Sequence, residues 1–228
     1  MPPFFRCCLG TLLVVLAGSA ATTAGAADEV ASTWLDSYTT RLEALALLET
    51  LNADLLSHDS ATATLDRWCA AHHLGDPSTI TAERVHDADK PATAAQRELL
   101  HVSATEPLAY RHVRLHCGLH VLSEADNWYV PSRLTADMNQ ALDHSDVPFG
   151  RAVEALHFQR RTLSANLLWA PLPDGWEMTG PTAEHDNKLV IPHFVLQHTA
   201  VLSLPDGTPI STLSESYTAD VLAFPEPR

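Results

Sequence analysis

Lysine is almost missing from this sequence: Lys90 and Lys188 are the whole complement, and every other basic side chain is an arginine. Acidic residues outnumber basic ones 28 to 14. A chain with that balance lacks the electrostatic footprint for a nucleic acid backbone or an anionic membrane surface, so neither is expected as a partner. A small anion stays open to it, provided that locally placed arginines overcome the overall field.

Cysteine is scarce as well. Of the 4 present, Cys7 and Cys8 fall in a leader described below, which leaves Cys69 and Cys117. Such a pair either forms one disulfide in an oxidising compartment or stays as two buried thiols, and its spacing has nothing of a metal site. No G-x-S-x-G elbow is present, so Ser-His-Asp catalysis has no support. The 13 histidines invite a metal reading. His112 and His116 share a strand face, but a turn near Gly118 intervenes before His120, so solvated histidines and no metal are expected. Internal repeats and low-complexity tracts are missing too.

The apolar run Cys7–Leu16 is about ten residues, short of the roughly 20 that span a bilayer. Arg6 precedes it, small residues follow it, and Ala24-Gly25-Ala26 fits the pattern that signal peptidase reads. No cysteine after the run stands in a lipobox context. The expectation is a signal peptide over 1–26 and one domain over 27–228. That domain would be periplasmic or secreted, monomeric, and free of the membrane after cleavage.

An apolar fraction of 46% supports a real core in that domain. Leu35, Tyr38, Leu42, Leu45, Leu48 and Leu51 recur at helical spacing. A second helix follows, capped by Asp59 or Ser60 and closed by Gly75. Residues 76–98 read as a loop carrying one short element at most. From Tyr110 the period becomes two, giving strands over 110–117 and 120–130, the second stopped by Pro131. A helix follows with Leu134, Met138 and Leu142 on one side. A Pro/Gly-punctuated surface excursion over 170–187 precedes two final strands joined by Pro205-Asp206-Gly207. Helices first and hairpins later make an α+β order.

Two charges fall on inward faces. Arg111 is in phase with Val113, Leu115 and Cys117, and Glu215 with Ser211, Leu213 and Tyr217. One account is a buried Arg111–Glu215 ion pair, a weak stabiliser because both ions lose their hydration. The other is a closed pocket in which Arg111 grips a ligand carboxylate with its planar fork and Glu215 meets a hydroxyl.

The order of short motifs resembles the chorismate pyruvate-lyase family. These are LLSHDSAT at Leu55–Thr62, RHVRL at Arg111–Leu115, Val130–Pro131, PFG at Pro148–Gly150, and GTPISTLSE at Gly207–Glu215. The resemblance implies a single antiparallel β-sheet flanked by helices, with the ligand enclosed beneath flap-like segments. It implies release of pyruvate from chorismate, or a related cyclic carboxylate, to give 4-hydroxybenzoate, with no cofactor. Arg111 would then hold a carboxylate, Glu215 would act as acid/base, and Phe149 and Ala61 would touch the ligand. Arg160 or Arg161 could meet a second carboxylate. His112, Phe149 and Ala61 stand where the family has Glu, Leu and Met. Together with the leader, these departures support a second expectation, a non-catalytic exported binding protein for a small aromatic or cyclic carboxylate. Ligand-sensing domains of transcription regulators, which are related to that family, fit poorly on this reading, since no DNA-binding helix pair precedes the domain.

Overall fold

The computed structural model describes residues 29–86, 89–180 and 187–226. The expected leader at 1–26, with Cys7, Cys8 and the cleavage before Ala27, lies outside the described residues. In chain order the elements are β1 (Glu29–Leu35), α1 (Tyr38–Ser57), α2 (Ala61–Ala71), β2 (Ile80–Val85), α3 (Ala94–Leu99), β3 (Ala109–Cys117), β4 (His120–Tyr129), α4 (Ala136–His144) and α5 (Phe149–Ala152). There follow β5 (Gln159–Leu167), α6 (Trp176–Thr179), β6 (Lys188–Pro192), β7 (Phe194–Ser203) and β8 (Pro209–Thr218).

The architecture is α+β with antiparallel pairing throughout, but the expected single sheet is corrected to two. Six strands form the main sheet in the order β2-β3-β4-β8-β7-β5, while β1 and β6 make a separate two-stranded ladder. Local chemistry explains the miss. Leu35 and Tyr38 continue the helical spacing on paper, but the Ser37 side chain accepts the Thr40 N–H and caps α1, so the residues before it are free to pair as β1. β2 is hidden in a polar stretch because only Ile80 and Ala82 of its residues turn inward.

Helices α1 and α2 cover the inner face of the main sheet. α1 contributes Ala44, Leu48, Leu51 and Leu55, and Leu35 is exposed instead of joining that face. α2 contributes Leu65 and Trp68, which pack with Val113, Leu115, Leu122 and Tyr217 from the strands. Among the described residues no helix is long and apolar enough to cross a membrane.

Cys69 of α2 and Cys117 at the end of β3 are joined in a disulfide, both fully buried. The bridge closes a loop over a sequence separation of 48. On the chain-entropy model its loss costs about 4 kcal/mol. Gly75 packs against it so closely that an added Cβ would lie 2.9 Å from Cys117 Sγ and 2.8 Å from the Gly118 nitrogen. Both Cys69→Ala/Cys117→Ala and Gly75→Ala are therefore expected to lower the urea midpoint, the first by more.

Candidate functional site

β3 presents two faces of opposite chemistry. Arg111, Val113, Leu115 and Cys117 are buried, and His112, Arg114 and His116 stand on the more open face. There, His112 meets Asp126 at 2.8 Å, His116 meets Glu83 at 2.9 Å, and Arg114 meets Glu124 at 3.2 Å. Among the described residues no cluster of His, Cys, Asp and Glu could hold a metal.

Glu215 does point inward on β8, but its partner is not Arg111. Arg160, on edge strand β5, reaches under β7 and donates from Nη2 to Glu215 Oε2 at 2.8 Å. The Tyr217 hydroxyl donates to the same oxygen at 3.2 Å. The two charged side chains are 3% and 7% exposed, which makes this a buried ion pair. Burial works to lower the Arg160 pKa, but the Glu215 carboxylate and the Tyr217 hydroxyl outweigh it and hold the guanidinium above its ordinary value. The Arg111–Glu215 pair weighed from the sequence is corrected to Arg160–Glu215.

Beside this pair lies a small cavity of about 40 Å³. Its walls are Ala61 and Thr62 at the start of α2, Phe149 and Gly150 of α5, Val113 and Leu115 of β3, Asn127 of β4, and Arg160 and Glu215. Ser60 caps α2 by accepting the Ala63 N–H. Asp66 of the same helix holds Arg151 of α5 at 2.7 Å and accepts the Ile80 N–H at 2.7 Å, which fixes α5 over the cavity. Of the four residues singled out from the sequence, Ala61, Phe149 and Glu215 line this one space and Arg111 does not.

Arg111 lies at its margin. It pairs in register with the lining residue Asn127, and its guanidinium turns toward the chain just before α5. The residue is 2% exposed. Among the described residues its one side-chain hydrogen bond is a long one, from Nη2 to the Val147 carbonyl at 3.4 Å, and Nε has no partner. Among the described residues no carboxylate lies within ion-pair distance of it. Burial pushes its pKa below the ordinary value and Arg84 adds to this, against the opposing influence of Tyr129 and Asp143.

The sequence pattern named Arg160 only as an alternative to Arg161 for a second carboxylate, and it missed His198. Arg160 could not be assigned a face because β5, QRRTLSANL, opens polar on both faces and offers no apolar alternation there to read. His198 on β7 is opposite Glu215, fully buried, and donates from Nε2 to Asn52 Oδ1 at 2.8 Å. Its Nδ1 has no partner. Burial, helped by Arg160 and opposed by Glu215, pushes its pKa down to about 4. The folded state thus refuses a proton that the unfolded chain takes up near the ordinary pKa of ~6.5. Stability is whole above that pH and falls as the pH drops toward 4, by roughly 3 kcal/mol in all. Urea midpoints at pH 7 and pH 4.5 should differ less in His198→Gln than in the wild type.

No protein-family model matches the chain. Several solved structures are similar in chain path. PhnF from Mycobacterium smegmatis is 15% identical with a TM-score of 0.46, covering 75% of this chain and 68% of PhnF. The possible transcriptional regulator YydK from Bacillus subtilis is 18% identical with a TM-score of 0.39, covering 65% of this chain and 62% of YydK, less than two thirds of its length. A GntR-family transcriptional regulator from Enterococcus faecalis is 13% identical with a TM-score of 0.39, covering 64% of this chain and 99% of the regulator. At such identities and scores the likeness concerns the fold and carries nothing about ligand or activity.

The expected kinship to chorismate pyruvate-lyases, and with it the expected release of pyruvate and 4-hydroxybenzoate, is corrected: the solved structures found similar are those of transcriptional regulators and not of lyases. The site agrees, since the carboxylate expected to serve as acid/base is already neutralised by Arg160 and Arg111 does not face it. In the curated sequences, "Uncharacterized protein y4mC" from Sinorhizobium fredii is 56% identical over 196 residues, which is 85% of this chain and 83% of that protein. The chain belongs to the same family as this Sinorhizobium protein.

Proposed function

We propose that the protein binds a small carboxylate with a cyclic or aromatic body, with Arg111 as the anchor, and performs no reaction on it. The observation that carries the reading is Arg111 itself: a guanidinium buried to 2% exposure that has, among the described residues, no carboxylate partner and an orphan Nε–H. Leaving such a charge uncompensated in the interior costs several kcal/mol. A ligand carboxylate gripped by the guanidinium fork removes that cost and is the geometry arginine is suited to. Val113, Phe149 and Leu213 in the adjoining wall supply an apolar seat for the ring. The ion-pair account thus belongs to Arg160–Glu215, and the ligand account to Arg111.

At about 40 Å³ the cavity has space for a few waters at most and falls far below the roughly 300–1,000 Å³ usual for ligand sites. Its walls therefore separate when the ligand enters. α5 is the smallest of them, a single turn that carries Phe149. The disulfide supports an oxidising compartment, in keeping with removal of residues 1–26 and a periplasmic or secreted domain over 27–228.

Titration calorimetry with benzoate, cyclohexanecarboxylate and benzamide tests the proposal. The two acids should bind, with the neutral amide roughly ten- to a hundredfold weaker. Equal affinity for benzoate and benzamide, or no heat with either acid, contradicts it.

A further inference from the structure

A second cavity, about 420 Å³, shares no lining residue with the first. It opens where the β1–β6 ladder meets the chain that leaves β8, between Thr33, Ile191 and the segment Ala219–Pro225. Its volume lies within the range of small-molecule sites. The wall is firmly held. Trp34 Nε1 donates to the Phe224 carbonyl at 2.7 Å, and the two rings meet edge to face at 5.6 Å. Phe224 also stacks on His72 at 4.5 Å, and Trp68 Nε1 donates to the Val221 carbonyl at 2.9 Å.

The chemistry of this cavity is the reverse of that around Arg111. Ile191, Leu222, Phe224 and Pro225 make an apolar surface, and Asp220 is the one carboxylate among the described lining residues, with no lysine or arginine beside it. Asp220 Oδ2 accepts the Val121 N–H at 3.0 Å. His120 Nδ1 stands 3.7 Å from the same oxygen, beyond hydrogen-bond reach. The carboxylate is therefore held in place, with the His120 imidazole as the nearest basic group in the lining. A net charge of −14 also draws cations to the molecule as a whole and repels anions from a site without arginine.

We propose that this cavity is a binding site for a small apolar amine, its ammonium on Asp220 and its hydrocarbon body against Ile191, Leu222 and Phe224. The site is independent of the carboxylate reading. An ammonium–carboxylate hydrogen bond is stronger than any the cavity can offer a neutral group, and the apolar walls reward a compact ring over a hydrated ion.

Titration calorimetry on the purified protein with benzylamine, benzyl alcohol and benzoate tests it. Benzylamine should bind, with benzyl alcohol roughly ten- to a hundredfold weaker, and benzoate should give no heat at this site. Asp220→Asn keeps an acceptor for Val121 and should lose benzylamine binding. Ala223→Phe, which narrows the cavity from an exposed wall position, should lose it too, while Arg111→Met should leave it unchanged. No benzylamine binding to the wild type, equal binding of the alcohol and the amine, or binding that survives Asp220→Asn overturns the proposal.

Discussion

Replacing Arg111 with methionine should raise the melting temperature of the ligand-free protein and remove the response to carboxylates proposed for it. Substitution of a residue only 2% exposed ordinarily destabilises, since it opens a cavity or strands a partner. Arg111 has little to strand: among the described residues its guanidinium makes one 3.4 Å bond, to a carbonyl. Methionine retains much of the stem volume, adapts to irregular space and needs no counter-ion. Exchanging even a paired buried charge, with its partner, for apolar volume is often neutral or stabilising by about 1–4 kcal/mol, and an unpaired one has no attraction to lose. For a domain of this size that is a rise of several degrees, about 2–4 °C per kcal/mol. A gain in stability coupled to a loss of ligand response marks a residue kept for function at a cost to the fold. Scanning calorimetry with and without benzoate measures both effects in one experiment.

Glu215→Leu should do the opposite. It leaves the Arg160 guanidinium buried without its carboxylate and the Tyr217 hydroxyl without an acceptor. Removing one partner of a buried pair costs roughly 3–5 kcal/mol, because the remaining charge is uncompensated. The double variant Arg160→Met/Glu215→Leu should recover most of that loss, since it leaves neither member of the pair uncompensated. The urea midpoint reports both, with an unchanged slope showing that the two states compared are the same. Recovery in the double variant distinguishes a repaired electrostatic fault from simple loss of packing.

The contrast between these two arginines shows what can be read from the sequence. Strand β3 declares its faces by strict alternation, so the inward position of Arg111 is legible in the residue pattern alone. So are the hairpins β3–β4 and β7–β8, where turn chemistry at Gly118 and at Pro205-Asp206-Gly207 interrupts period-two patterns. Glu215 can be placed inward beside Leu213 and Tyr217 for the same reason. Its partner cannot. Arg160 and Arg161 are neighbours on an edge strand that opens polar on both faces, and only tertiary pairing brings Arg160 beneath β7 to β8. The second sheet is hidden because β1 runs directly into α1 and β6 follows a Pro/Gly-rich excursion, so neither is long enough to declare its own period. Two cysteines establish the possibility of a bridge but not its existence, which depends on the approach of α2 to the end of β3.

The resemblance to lyases failed for a related reason. Short motifs in the right order located the wall of a cavity, with Ala61, Phe149 and Glu215 all on it. They could not say whether the charges there are free to act. Glu215 is committed to Arg160, and Arg111 meets the Val147 carbonyl instead. Chemistry resides in such pairings, which motif order does not encode.

The most direct test is the nitrogen of the side chain itself. In a heteronuclear NMR titration with benzoate, the Arg111 Nε–H resonance, assigned by its loss in Arg111→Met, should shift in step with saturation of the protein, while that of Arg160 moves little. Saturation by benzoate with the Arg111 signal unmoved would contradict the assignment of Arg111 as the carboxylate anchor.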